Sequence, residues 1–81
     1  MRVTVRLFAR LRDIAGRGDL IRETPDGSTV GDLWKDLVTE YPEMARYASS
    51  ISSAVNADYA RMTAVIADGD EVAFLPPVSG G

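Results

Sequence analysis

One strong amphipathic helix, predicted between residues 30 and 41, dictates the layers that this chain can form. Its apolar side chains recur at i, i+3, i+4, i+7, i+8 and i+11 and make one stripe: Val30, Leu33, Trp34, Leu37, Val38 and Tyr41. Thr29 can cap the helix, with Asp32 three residues later, and Pro42 forbids continuation. A helix with one apolar face has to pack on a second layer. We therefore interpret Trp34 as a core residue and not as a ligand platform.

The segments on both sides of the helix have the two-residue period of strands. A hairpin is predicted from residues 2–7 and 19–24. Two further strands are predicted at residues 51–56 and 71–75, with a short edge strand at residues 59–63 between them. Turn residues lie at 25–27, 56–58 and 67–70. Residues 10–18 interrupt the alternation, so we expect a loop there, and residues 42–50 predict irregular structure or a short helical turn.

This order of two strands, one helix and two or three strands predicts an α+β fold. A mixed sheet packed on one main helix, the β-grasp arrangement, fits it best. At 81 residues, the chain has room for one small domain that buries roughly 60–65% of its unfolded surface. We expect the domain to span residues 1–75 and residues 76–81 to form an extended C-terminal Gly-Gly tail.

Composition excludes several classes of function. The chain has no cysteine and no histidine, so thiolate metal sites, disulfides and imidazole chemistry are absent from the sequence. Six arginines precede residue 25 against three acidic residues, but a pI near 4.7 argues against nucleic acid as a partner. No phosphate-binding loop or metal motif occurs, and the acidic residues 68, 70 and 71 flank a glycine turn. We expect a cytoplasmic protein with no membrane segment, no metal and no active site of its own.

The C-terminus and three apolar residues are the candidate site. The chain ends in Pro76, Pro77, Val78, Ser79, Gly80 and Gly81, and without cysteine or histidine the terminal carboxyl group is the most promising reactive group. Glycine lacks a Cβ and can pass through a narrow channel, while the prolines limit flexibility. Phe8 and Leu75 are out of phase with the core positions of their strands. Together with Tyr59 they predict an apolar patch near the tail that could bind a partner.

The chain resembles the small subunit of molybdopterin synthase, a family of ubiquitin-like sulfur carriers. The resemblance rests on Leu7-Phe8-Ala9 with Leu11-Arg12, on Thr29-Val30-Gly31-Asp32-Leu33, on Val55-Asn56, and above all on the run Asp68-Gly69-Asp70-Glu71-Val72-Ala73-Phe74-Leu75-Pro76-Pro77-Val78-Ser79-Gly80-Gly81. It implies that an adenylating enzyme similar to ubiquitin E1 uses ATP to convert Gly81 to an acyl-adenylate. A sulfur donor protein then supplies the sulfur of a thiocarboxylate.

The resemblance also implies the partners of the carrier. The tail would enter the synthase large subunit, in a heterotetramer, and deliver sulfur to cyclic pyranopterin monophosphate, with docking through Phe8, Tyr59 and Leu75. The chain would bind no cofactor and would not be an enzyme alone. Three alternatives remain: a ubiquitin-like modifier that forms isopeptide bonds, a sulfur carrier for thiazole or cysteine synthesis, and an interaction domain with an inert tail.

Overall fold

The computed structural model describes residues 1–77 of the chain. Strands and short helical segments follow one another, and a 3₁₀ segment succeeds the longest helix. Their bounds are β1 Arg2–Leu7, α1 Ala9–Ala15, β2 Asp19–Glu23, α2 Val30–Glu40, the 3₁₀ segment Pro42–Tyr47, β3 Ser52–Val55, β4 Asp58–Tyr59 and β5 Glu71–Leu75.

The strands of residues 1–77 form a single sheet in the order β2-β1-β5-β3-β4. The predicted hairpin is confirmed, because β1 and β2 are antiparallel. The last strand, β5, lies parallel to β1 in the centre of the sheet, with Val5 opposite Val72 and Leu7 opposite Phe74. Its other neighbour, β3, is antiparallel to it, and β4 forms the edge. This mixed sheet with α2 on one side is the predicted β-grasp arrangement.

The core lies between α2 and one face of the sheet, which we call the inner face. The inner-face side chains of the two central strands are 0–2% exposed: Val3, Val5, Leu7, Val72 and Phe74. The ring of Trp34 on α2 lies 5.2 Å from that of Phe74, at an interplanar angle of 49°. Trp34 is only 6% exposed, which confirms its interpretation as a core residue.

The start of α2 is fixed by a reciprocal capping box. The hydroxyl oxygen of Thr29 accepts a hydrogen bond from the backbone N–H of Asp32 at 3.1 Å, and the Asp32 carboxylate accepts one from the N–H of Thr29 at 3.0 Å. Two N–H groups that the helix cannot pair internally are thereby satisfied. The hydrogen bond from the Thr29 backbone is the main reason that the pKa of Asp32 is lowered.

Two turns predicted from the sequence place the last three strands. In the turn between β3 and β4, Asn56 and Ala57 have φ angles of 50° and 73°. Two consecutive left-handed residues match the right-handed twist of a tight hairpin. Gly69, with φ 85°, makes the turn before β5, where the N–H of Asp70 donates to the carbonyl of Ala67 at 3.0 Å.

The expected loop at residues 10–18 is wrong, because helix α1 occupies most of it. Leu11 on this helix is fully buried, so tertiary packing supports a segment that has no side-chain cap at its start. Gly16 ends the helix with φ 78°. The edge strand predicted at 59–63 is also shorter and begins earlier, as Asp58–Tyr59. Within residues 1–77, the helices are too short and too polar to cross a membrane.

Candidate functional site

The strand register creates a second face of the sheet, opposite the core, which we call the outer face. Arg6 on β1 pairs with Ala73 on β5, Ala73 pairs with Ala54 on β3, and Ala54 pairs with Tyr59 on β4. Paired residues point to the same side of a sheet, so these four form one row across it. Leu75 pairs with Ser52 and belongs to the next row, two residues along β5.

Tyr59 is the most exposed large apolar residue of the outer face. Its side chain is 84% exposed, although its backbone pairs with Ala54 in the sheet. Ala54 itself is buried and Ala73 is half-buried. Because both residues are alanines, their short apolar side chains protrude little from the sheet beside Tyr59. The structure therefore places Tyr59 at one end of a shallow apolar strip along the row.

Phe8 lies between the end of β1 and the start of α1, where the backbone changes direction. It is the residue before α1, with φ −124° and ψ 155°, and Ala9 has a left-handed φ of 51°. The ring stays 39% exposed and lies under the guanidinium carbon of Arg6, 5.8 Å from the ring centroid. A cation at this distance stabilises an aromatic ring by about 0.5–1 kcal/mol at an exposed site. Phe8 is therefore held partly open to solvent, as its phase predicts.

Leu75 lies close in register to Phe8. Because Leu7 pairs with Phe74 in the parallel ladder, the residue after each of them comes at the same end of the sheet. Leu75 is half-buried, and Pro76 and Pro77 continue the chain from this end. The structure thus brings Phe8 and Leu75 to the point where the tail begins, with Tyr59 two strands away from Leu75.

The predicted tail residues Val78, Ser79, Gly80 and Gly81 lie outside the described residues. Of the predicted tail, only Pro76 and Pro77 can be placed. Pro76 is half-buried and Pro77 is exposed. Pro76 follows the last residue of β5 and Pro77 comes next, so β5 sets the direction in which these two prolines leave the sheet.

Arg6 is a feature of the outer face that the sequence interpretation did not single out. Its Nε lies 2.7 Å from a carboxylate oxygen of Asp19, and one of its terminal nitrogens lies 3.6 Å from Glu71. It also covers the ring of Phe8. Exposed ion pairs contribute little to stability, about 0–1 kcal/mol. Their effect here is to fix a charged border beside the apolar residues, on the side of β2.

The acidic residues near the turn at Gly69 are engaged in structure. Asp70 accepts hydrogen bonds from the N–H of Ala67 at 2.7 Å and from the Asn56 amide at 2.9 Å, while Asp68 accepts one from the N–H of Arg2 at 2.8 Å. Within residues 1–77, acidic side chains do not come together in groups of three that could hold a metal. The carboxylates here close a turn.

The groups whose pKa is shifted belong to the other side of the molecule. The guanidinium of Arg22 hydrogen-bonds Glu40 at 2.9 Å and lowers the pKa of that carboxyl group, and Asp32 caps α2. Both acids are exposed residues of α2, which packs on the inner face. They stabilise helix termini and a helix-to-strand contact. The outer face thus presents apolar residues beside the charged border formed by Arg6.

Comparison with known proteins connects this architecture to a family. The model of the ThiS family matches residues 5–81, which include the second half of β1, all later strands, α2 and the whole tail. The chain belongs to the ThiS family. Over 79 aligned residues it is 37% identical to the molybdopterin synthase sulfur carrier subunit of Arabidopsis thaliana, and the match covers 98% of this chain and 82% of the relative. The resemblance inferred from the sequence motifs is thus confirmed.

The ThiS-family chain is also similar to protein modifiers. It is 32% identical over 84 residues to small archaeal modifier protein 1 of Haloferax volcanii, with 94% of this chain and 97% of the relative covered. A crystal structure of SAMP1 from Haloferax volcanii matches the whole chain with a TM-score of 0.88 and 31% identity. The ubiquitin-like β-grasp fold is confirmed by this match, and the similarity extends to two functional classes.

Proposed function

We propose that this chain is the sulfur carrier subunit of a molybdopterin synthase. The observation that carries the proposal is the match to a relative of that name over 98% of this chain, together with a family match that includes the C-terminal run of residues 68–81. The outer face supports it, because a carrier has to dock before it can deliver its terminal group. Phe8 and Leu75 lie at the start of the tail, and Tyr59 extends the apolar surface across the sheet.

The chemistry begins with activation of the terminal carboxyl group. Such a group has a pKa of about 3.3–3.7, so it is ionised at neutral pH and is a poor electrophile. We propose that an adenylating enzyme similar to ubiquitin E1 joins the Gly81 carboxylate to AMP with consumption of ATP. Sulfur from a donor protein then displaces AMP and leaves a thiocarboxylate on Gly81. The chain binds no cofactor itself in this scheme.

Delivery then takes place in a large subunit of the synthase. The outer face docks through Phe8, Tyr59 and Leu75, and the tail of Pro76, Pro77, Val78, Ser79 and Gly80 threads a channel toward the substrate. Each carrier transfers one sulfur to cyclic pyranopterin monophosphate, so two carriers in succession complete the dithiolene. We propose a heterotetramer in the cytoplasm in which the chain donates sulfur but is not an enzyme alone.

Intact-mass spectrometry of the chain purified from its own cells tests loading. We expect an increase equal to replacement of one oxygen by sulfur, localised to Gly81. A reconstituted synthase tests delivery, and deletion of Gly81 should abolish product. The matched control is that the deleted chain still competes with the intact chain for the large subunit, because the outer face is unchanged. Normal product formation without Gly81 would refute the proposal.

A second candidate function is that of a protein modifier. It is favoured by the 32% identity to small archaeal modifier protein 1 and by the TM-score of 0.88 to SAMP1. A modifier forms an amide between Gly81 and a lysine of a target, so conjugates that require Gly81 would persist on a denaturing gel. A carrier for thiazole or cysteine synthesis would load sulfur equally but would fail to supply the synthase.

A further inference from the structure

The chain has very few groups that could capture an activated carboxyl group. Lys35 is its single lysine, and the sequence contains no cysteine and no histidine. Amines are the remaining strong nucleophiles, and they are confined to Lys35 and the N-terminal amine. Eight arginines provide the other positive charges, and guanidinium groups stay protonated and do not attack acyl carbons.

The N-terminal amine is occupied by the fold. The Met1 nitrogen donates a hydrogen bond to the carbonyl of Thr24 at 2.8 Å and lies 3.6 Å from a carboxylate oxygen of Asp26. The Met1 carbonyl also accepts a hydrogen bond from the N–H of Thr24 at 2.9 Å. Acylation of this nitrogen would remove the charge and break the contact with Asp26, so the fold disfavours reaction there.

Lys35 is presented on the exposed side of α2, and within residues 1–77 it takes part in no ion pair. Beside it runs a groove of about 390 Å³ between α2 and the 3₁₀ segment, walled by Trp34, Val38, Ala45 and Ala48. We call it the α2 groove. Because α2 packs on the inner face, a partner on the outer face leaves both the groove and the lysine free.

We propose that Lys35 is the acceptor for the activated Gly81 of a second copy of this chain, whose apolar tail residues lie in the α2 groove. Those tail residues are Pro76, Pro77 and Val78, which suit an apolar channel that ends at an amine. The inference rests on activation of Gly81, as in the proposed function, but not on sulfur delivery.

The reaction joins two chains through one amide bond. Nζ of Lys35, after loss of a proton to solvent, attacks the carbonyl carbon of Gly81 and forms the C–N bond. The bond from that carbon to the leaving group breaks, and AMP departs from an acyl-adenylate or a thiol from a thioester. A second proton leaves the nitrogen. The first product is a dimer with one linkage, from Gly81 to Lys35. It keeps one Gly81 and one Lys35 unreacted, so further copies can be added through the same linkage.

A chemically made thioester tests the acceptor without any activating enzyme. The full chain is prepared with a Gly81 thioester by intein cleavage and incubated at neutral pH, and dimer is quantified on denaturing gels. Peptide mapping should locate the link at Lys35, and treatment with hydroxylamine, which cleaves esters, should leave it intact. Lys35→Arg keeps the charge and the helix propensity and should lose the dimer.

A variant with its single lysine at another position tests whether the reaction requires the lysine beside the α2 groove or only an exposed amine. In Lys35→Arg with Arg17→Lys, the single lysine moves to an exposed position between α1 and β2, which does not line the α2 groove. Burial of one apolar side chain contributes about 1.5 kcal/mol, so the relocated variant should form about tenfold less dimer. Equal yield from the relocated lysine, dimer that persists in Lys35→Arg, or hydrolysis alone in the unmodified sequence would each overturn the proposal. Sulfur loading in cells, measured by mass, is unaffected by any of these results.

Discussion

Replacement of Tyr59 by alanine should weaken docking of the large subunit while leaving the fold intact. An aromatic side chain buries roughly 200 Å² when it is covered, and 84% of Tyr59 is available. At about 25 cal/mol per Å², complete burial would contribute about 4 kcal/mol. Interfaces lose part of this to ordering and incomplete contact, so we expect about 2 kcal/mol, or roughly a 30-fold increase in Kd.

The same variant should be almost unchanged in stability. The side chain makes few core contacts, so the loss on Tyr59→Ala should stay within about 1 kcal/mol, mainly from lower strand propensity. Isothermal titration with the synthase large subunit measures Kd, and urea unfolding measures stability. Val65→Ala is the matched control, since Val65 is 68% exposed but pairs with Thr29 at the start of α2. Equal Kd for both variants and the original chain would refute docking through the outer face.

Three further substitutions test the structure itself. Ala57→Gly should raise the free energy of unfolding by about 0.5–1 kcal/mol in urea titrations, because Ala57 is held at φ 73°, where glycine is unstrained. Phe74→Ala should cost about 3–5 kcal/mol and could unfold the domain on heating, because its fully buried ring packs on Trp34; an unchanged thermal midpoint would contradict this. The lowered pKa of Asp32 predicts stability that is complete above its ordinary value of 3.8 and is lost as pH falls through the lower folded value. Asp32→Asn should remove that part of the acid dependence. Thermal unfolding measured over a range of about pH 2 to 5 tests this, and a midpoint that varies with pH identically in the variant and the original chain would disprove the role of the bond to Thr29.

Most of the fold was predictable because its signals are local and agree with one another. Thr29, Asp32 and Pro42 mark the two ends of α2, and the turns at residues 56–58 and 67–70 follow from residues that accept left-handed backbone. The order of elements then leaves few arrangements that bury the stripe on α2. The mixed sheet is the one observed.

Helix α1 was not predicted because its stability comes from tertiary contacts. It spans seven residues, begins without a side-chain cap and contains three charged residues. Its signal is the spacing of Leu11, Ile14 and Ala15 at i, i+3 and i+4, followed by Gly16. In so short a segment this spacing is a weak signal of a helix. Burial of Leu11 supplies the stability that intrinsic helix propensity does not.

The candidate site was predicted in part from strand phase. The two-residue period predicted that Phe8 and Leu75 point away from the core, and the strand register places Leu75 and Tyr59 on the outer face. The two-residue period could not identify Arg6 as part of the site. Its role depends on the ion pair with Asp19 of the neighbouring strand and on the position of its own guanidinium over the Phe8 ring. Pairwise contacts across strands depend on register, which a single sequence specifies poorly.

The two faces of this domain offer a physical basis for separating delivery from conjugation. The outer face carries the residues proposed to dock, whereas Lys35 lies on α2, which packs on the inner face. In the proposed complex the large subunit would enclose the tail of the carrier, so Gly81 would not reach the lysine of a second copy. An activated carrier that is free in solution has no such protection. Excess large subunit should therefore suppress Gly81-to-Lys35 dimer from the thioester protein, and Tyr59→Ala should restore it by weakening the complex.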